Sequence, residues 1–213
     1  MNHAKRLGIF GGSFDPPHRA HIALAQHAVA QFQLDELRII PTGDAWHKAR
    51  PLTPSPHRLA MTRLAFAEVT QALVDTREID RLGATYTIDT LLELKAEQPD
   101  AALFLFIGAD QARAFQTWHR WQDIESLATV VVAQRPPVST DALQPAGQPG
   151  AAQWHNAVSP DVQRLDMPSL NVSATEIRAH FAQAPQTHTD LMSAWLPASV
   201  QHYIEKHSLY RSN

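Results

Sequence analysis

Leu7-Gly8-Ile9-Phe10-Gly11-Gly12-Ser13-Phe14-Asp15-Pro16-Pro17-His18-Arg19-Ala20-His21 is the stretch that decides the fold. An apolar run, the pattern of a buried strand, passes into paired glycines, then paired prolines, then two histidines three residues apart. Gly11 and Gly12 accept backbone angles that a β-carbon forbids, and they let a ligand approach the main chain. Pro16 and Pro17 stiffen the turn and push their predecessors out of helix. A helix is expected from about His18, because Ile22, Ala25, Val29 and Phe32 fall on one helical face. His18 and His21 then share its first turn, beside unpaired main-chain N–H groups and the positive end of the helix dipole. That combination is an anion site at the end of a parallel sheet. The string is neither the lysine-bearing phosphate loop nor the G-x-G-x-x-G fingerprint, so histidines must meet the phosphates. Taken alone, the histidine pair also reads as ordinary polar helix surface. Zinc is a further reading, but it needs three or four ligands, and no third sits at a suggestive spacing.

Working outward, short apolar runs alternate with helix-like segments. Leu37–Pro41, Leu73-Val74, Ala102–Gly108 and Thr129–Ala133 read as strands, and Gln163–Met167 as a candidate last one. Ser55-Pro56 reads as an N-cap and first residue of a helix, and Thr87 as the cap of another carrying Ile88, Leu91 and Leu92. Continuous apolar runs argue for a parallel sheet covered on both faces. The alternating order makes the fold α/β, a Rossmann-like doubly wound sheet, with a small helical part toward the C-terminus. We expect a single domain over 1–213, with the core in 1–170 and helices in 171–213. The Pro-rich stretch 135–160 reads as a loop.

The bulk numbers exclude several classes. With 213 residues, 44% hydrophobic and 18% charged, the chain suits an ordinary globular domain. A net charge of −3 advertises no nucleic acid partner, so anionic substrates must be caught by a local cluster. There is no cysteine, which rules out disulfides and thiolate metal sites. Neither a signal peptide nor a membrane span is visible, so a cytoplasmic location without membrane partners is expected by default. The sequence leaves the oligomeric state open.

Further candidate pieces lie at strand ends, where ligands of open α/β sheets bind. His47-Lys48, after the second strand, can bring two donors to phosphate oxygens, or be a solvated loop pair. Asp110, in Gly108-Ala109-Asp110, can accept from ribose hydroxyls, or cap a helix. Ser173 and Glu176 match a capping box. Arg178 follows within about a turn and can aim its planar fork at an anion on the same helix end. Trp118 and Trp121 are spaced for core packing, although an exposed indole face also stacks a flat heteroaromatic ring. Arg135 is a weaker candidate for an adenosine or phosphate contact. The apolar face of Trp195 to Tyr210 reads as packing.

The Gly11–His21 string resembles the signature of the nucleotidylyltransferase superfamily. Its longer form is similar to that of the bacterial nicotinate-nucleotide adenylyltransferases, and the resemblance runs over nearly the whole chain. Ser173-Ala174-Thr175-Glu176-Ile177-Arg178 resembles the family's I-S-S-T-x-[IL]-R segment, with Val172 and Ala174 as departures. Ala20 stands where the superfamily usually has glycine. The resemblance implies transfer of AMP from ATP to nicotinate mononucleotide, releasing nicotinate adenine dinucleotide and pyrophosphate, with Mg2+ carried in on ATP. It implies an ATP site of Gly11, Gly12, Ser13, Phe14, His18, His21, Gly108, Asp110, Ser173, Thr175 and Arg178. His18, His21 and Arg178 are the expected catalytic residues. His47, Lys48, Tyr86, Thr87, Trp118 and Arg135 are expected to hold the mononucleotide, with Trp118 on the pyridine ring and the Thr85-Tyr86-Thr87 main chain on its carboxylate. No protein-held metal is expected. Other acceptors on the same fold, nicotinamide mononucleotide or phosphopantetheine, and a non-catalytic nucleotide sensor, are the alternatives.

Overall fold

A computed structural model describes residues 4–43, 52–134, 162–168, 170–183 and 190–211. Six strands form one sheet in the order β3-β2-β1-β4-β5-β6: β1 (Arg6–Gly12), β2 (Glu36–Pro41), β3 (Ala72–Val74), β4 (Ala102–Gly108), β5 (Ala128–Gln134) and β6 (Gln163–Asp166). Every neighbouring pair is parallel. β1 lies at the centre, where chain order reverses between β1 and β4. Crevices at such switch points are where open α/β sheets bind ligands.

Alternation along each strand sends side chains to two apolar layers. Phe10, Leu37, Ile39, Phe104, Phe106, Val131 and Leu165 enter one cluster. Leu7, Ile9, Ile40, Leu103, Leu105, Ile107, Val130 and Val132 enter the other. The first layer is covered by α1 (Arg19–Phe32), α2 (Ser55–Phe66), α7 (Ala174–Gln183), α8 (Asp190–Trp195) and α9 (Ala198–Lys206), through residues such as Leu24, Met61, Ile177, Met192 and Val200. The second is covered by α4 (Thr87–Glu97), α5 (Ala109–Arg113) and α6 (Trp121–Leu127), through Ile88, Leu91, Leu94, Ala112 and Ile124. Both faces are therefore sealed, as continuous apolar strands require. The helices after residue 171 share their apolar cluster with β1 and α1, so they are built onto the sheet.

Element ends differ from expectation in small ways with physical reasons. α4 starts at Thr87 with extended Tyr86 as its cap, so Thr87 is the first helical residue. α2 is preceded by Pro54, which caps it, with Pro56 inside the first turn, where its missing N–H costs nothing. A short helix α3 (Arg77–Asp80) lies between β3 and α4 and has no sequence signal of its own. No helix among the described residues is long and apolar enough to cross a membrane.

Candidate active site

β1 ends at Gly12, level with Pro41 of β2, and the turn that follows brings the histidines to the start of α1. Phe14 is in the left-handed region, with φ of 45°, and its ring turns inward to 1% exposure against Phe10 and Phe66. A β-carbon on Gly12 would lie 3.0 Å from that ring, so any larger residue there would press on Phe14 and make its ring shift. At Gly11 a β-carbon would meet nothing nearer than a carbonyl at 3.9 Å. Its face is open to an approaching ligand. Phe14, expected among the ATP contacts, thus has only its main chain to offer. Its side chain is a core residue that shapes the loop.

His18 caps α1, and His21 occupies the third helical position. The His18 main-chain N–H donates to His21 Nδ1 at 3.1 Å. The Nδ1 atom is therefore the acceptor, and the ring proton belongs on Nε2. The two imidazoles stack, with centroids 3.7 Å apart, and Phe10 and Phe14 flank His21. Burial, reinforced by the adjacent His18 ring, holds the His21 pKa well below the usual histidine value. His21 is thus a neutral N–H donor at physiological pH. Ala20 packs its methyl group against the first apolar cluster, so the departure from glycine is absorbed by packing.

Asp15 and Ser13 tie this turn to the rest of the molecule. Arg58 of α2, 1% exposed, donates to the main-chain oxygens of Ser13 at 3.1 Å, Gly43 at 3.3 Å and Thr53 at 2.9 Å. One guanidinium therefore clamps the loops after β1 and β2. Charged residues are rarely this buried, and an arginine that binds loop carbonyls carries no sequence motif, so sequence reasoning missed it.

Arg178 comes to the same turn from α7. Its Nη1 donates to the Asp15 carbonyl at 2.7 Å and its Nη2 to Thr175 Oγ at 3.1 Å. Thr175, expected on the nucleotide, here orients the arginine. The Ser173 hydroxyl accepts from the Glu176 N–H at 3.2 Å and donates to its carboxylate at 2.7 Å. The capping reading of Ser173 holds, so a ligand at this helix end meets main-chain N–H groups more readily than the serine hydroxyl.

Of the pieces expected to hold the mononucleotide, Tyr86, Thr87 and Trp118 lie on the other layer. Tyr86 and Trp118 both pack against the second apolar cluster. Tyr86 meets the neighbouring His119, with ring centroids 4.5 Å apart, and Trp118 packs on Phe115. Thr87 opens α4, whose first-turn N–H groups suit a carboxylate. Gly108 caps α5, and the Gln111 side chain accepts its N–H at 3.0 Å. Asp110 is therefore not the cap: its side chain is 91% exposed and pairs with Arg113. His47, Lys48 and Arg135 lie outside the described residues. Among the described residues no group of three or more His, Asp or Glu is placed to hold a metal ion.

The strand order and an anion site on a helix end beside the central strand define an α/β nucleotide-binding protein of the Rossmann-like class. The comparisons narrow this. The chain belongs to the cytidylyltransferase-like family, whose model matches residues 9–180. It is 50% identical over 209 residues to a probable nicotinate-nucleotide adenylyltransferase of Albidiferax ferrireducens, covering 98% of this chain and 99% of that one. It is 42% identical to a protein of the same description from Methylibium petroleiphilum, covering 97% and 92%. Among solved structures, the nicotinic acid mononucleotide adenylyltransferase of Plasmodium falciparum complexed with NaAD superposes with a TM-score of 0.76 at 19% identity, covering 97% of each chain. At that identity the likeness speaks for the fold.

Proposed function

We propose that this chain transfers AMP from ATP to nicotinate mononucleotide, yielding nicotinate adenine dinucleotide and pyrophosphate, a step of NAD biosynthesis. The observation that carries it is the convergence of His18, His21 and Arg178 on one turn at the end of β1. The two close relatives just described support the choice of acceptor.

The reaction is one in-line displacement. A phosphate oxygen of the mononucleotide attacks the α-phosphorus of ATP. The bond to the bridging oxygen breaks, and its electron pair leaves with pyrophosphate. The acceptor phosphate is already ionised near neutral pH, so no general base is needed. The chain's task is to bring two anions together and stabilise charge that develops between them. His21 donates its Nε2–H to the transferring phosphoryl group without adding a titrating charge. The α1 N-terminus and His18 complete that anion site. Arg178 and the first turn of α7 take the departing phosphates. Magnesium enters as part of MgATP, held by phosphate oxygens and water. On the other layer, Trp118 stacks the pyridine ring and the N-terminus of α4 receives its carboxylate. A neutral carboxamide matches such donors poorly, which selects the acid. His47, Lys48 and Arg135 complete the expected set, and the reaction is placed in the cytoplasm.

The test is product formation from MgATP with nicotinate mononucleotide, nicotinamide mononucleotide and phosphopantetheine in parallel, resolved by chromatography. Nicotinate adenine dinucleotide should form, with the amide much slower. Preferred turnover of another acceptor overturns the assignment of Trp118 and Thr87. Binding of ATP without turnover of any acceptor points to a sensor instead.

A further inference from the structure

Tyr210 ends the apolar stretch that the sequence reads as packing, yet its hydroxyl reaches the loop after β1. It donates to Asp15 Oδ1 at 2.8 Å, while the Thr53 N–H donates to Oδ2 at 3.3 Å. Asp15 is 1% exposed, and a carboxylate so deep in the protein depends on its donors. The Tyr210 bond is the shorter of those two, and a hydrogen bond to an ionised oxygen is stronger than a neutral one. Burial, with Asp15 beside it, raises the phenol pKa, so the hydroxyl keeps its proton. Tyr210 sits in the left-handed region, with φ of 65°. A bulky residue takes that conformation only when its surroundings impose it. Its ring also packs on Phe181 of α7, with centroids 6.5 Å apart. One residue therefore touches both the turn that receives Arg178 and the helix that carries it.

We infer that Tyr210 is a positioning residue for Arg178: its hydroxyl fixes Asp15, and the Asp15 carbonyl fixes the guanidinium that meets the phosphates of ATP. The inference rests on the assignment of Arg178 to those phosphates, and it adds a residue that touches neither substrate.

The experiment is a double-mutant cycle on the full chain, with Tyr210→Phe, Arg178→Ala and the pair, assayed with MgATP and nicotinate mononucleotide. Tyr210→Phe keeps the ring and removes one hydroxyl. It should lower kcat roughly 10- to 100-fold, the range that small misplacements of a reacting group produce. The KM for the mononucleotide, held on the other layer, should stay within about twofold. In the Arg178→Ala background the same change should cost nothing further, an outcome that general loosening of the fold does not produce. A wild-type kcat for Tyr210→Phe overturns the inference, as does a full multiplicative loss in the Arg178→Ala background. Wild-type kcat in Arg178→Ala removes the ATP assignment itself, and the inference with it. Should Tyr210→Phe not yield folded protein, Asp15→Asn keeps the ring and the carbonyl while removing the charge. Its loss must likewise vanish in the Arg178→Ala background.

Discussion

A single ring nitrogen carries much of the chemistry proposed here. The His21 Nδ1 is committed to the His18 N–H, so only Nε2 carries a proton to donate, and a depressed pKa keeps the ring neutral. Removing that donor in His21→Ala should lower kcat on the order of 10²-fold, as loss of one transition-state donor does elsewhere. A near-normal kcat would count against the role. Because the neutral ring is the active form, kcat should not fall as pH rises through the ordinary histidine range of about 6.5; a falling profile there would point to an imidazolium. Stability follows with a fixed sign. As pH drops below the ordinary histidine value, the unfolded chain takes up a proton that the native ring refuses, so wild type loses stability on the acid side. His21→Gln can still accept the His18 N–H but does not titrate. Its Tm should fall less than that of wild type over the same acid range. The place of His21 beside His18 in the first turn of α1 was legible in the sequence from their three-residue spacing. The tautomer was not, because it depends on which nitrogen meets a main-chain N–H. Nor was the inward turn of the Phe14 ring, which lies in the core.

The secondary-structure elements divide into those that announce themselves and one that does not. β4 and β5 were readable as unbroken apolar runs, and α1 as a striped face after a proline turn. α3 was not, since a helix of four residues has no period. It nonetheless supports the start of α4, because buried Glu78 accepts from Thr90 Oγ at 2.9 Å. Burial pushes the Glu78 carboxyl up from its usual range, with Asp75 and Glu93 adding to the shift and Thr90 and Arg81 opposing it. A carboxyl whose pKa is raised on folding favours the protonated native state, so its contribution is lost as pH rises through the shifted value. Glu78→Gln keeps an acceptor for Thr90 without the charge. Thermal unfolding should show it gaining Tm over wild type at neutral pH, with the gain closing at acid pH where both side chains are neutral. A gain that is constant with pH would mean that charge burial is not the cause.

On the scale of the whole molecule, the proposed function divides the site between the two apolar layers, with the triphosphate end assigned to the α1 side and the acceptor ring to the α4 side. Ligand binding should therefore be separable. ATP at about 100-fold over its Kd adds about 2.7 kcal/mol to stability, which for a chain of this size is roughly 5–10 °C in Tm. Arg178→Ala should shrink that ATP shift and leave the shift from nicotinate mononucleotide alone; equal shrinkage of both would dissolve the division. The doubly wound sheet was legible, since alternating strands and helices require it. The strand order was not, nor was the convergence of Arg178 and Tyr210 on Asp15, because those partners lie 163 and 195 positions along the chain. That distance has a consequence during synthesis. The ribosome makes the glycine turn and the histidines first, at about 5–20 residues per second. The arginine and tyrosine that close around Asp15 follow 163 and 195 residues later. A growing chain can thus hold its first strands and the histidine turn for seconds before Arg178 and Tyr210 are there to close on Asp15.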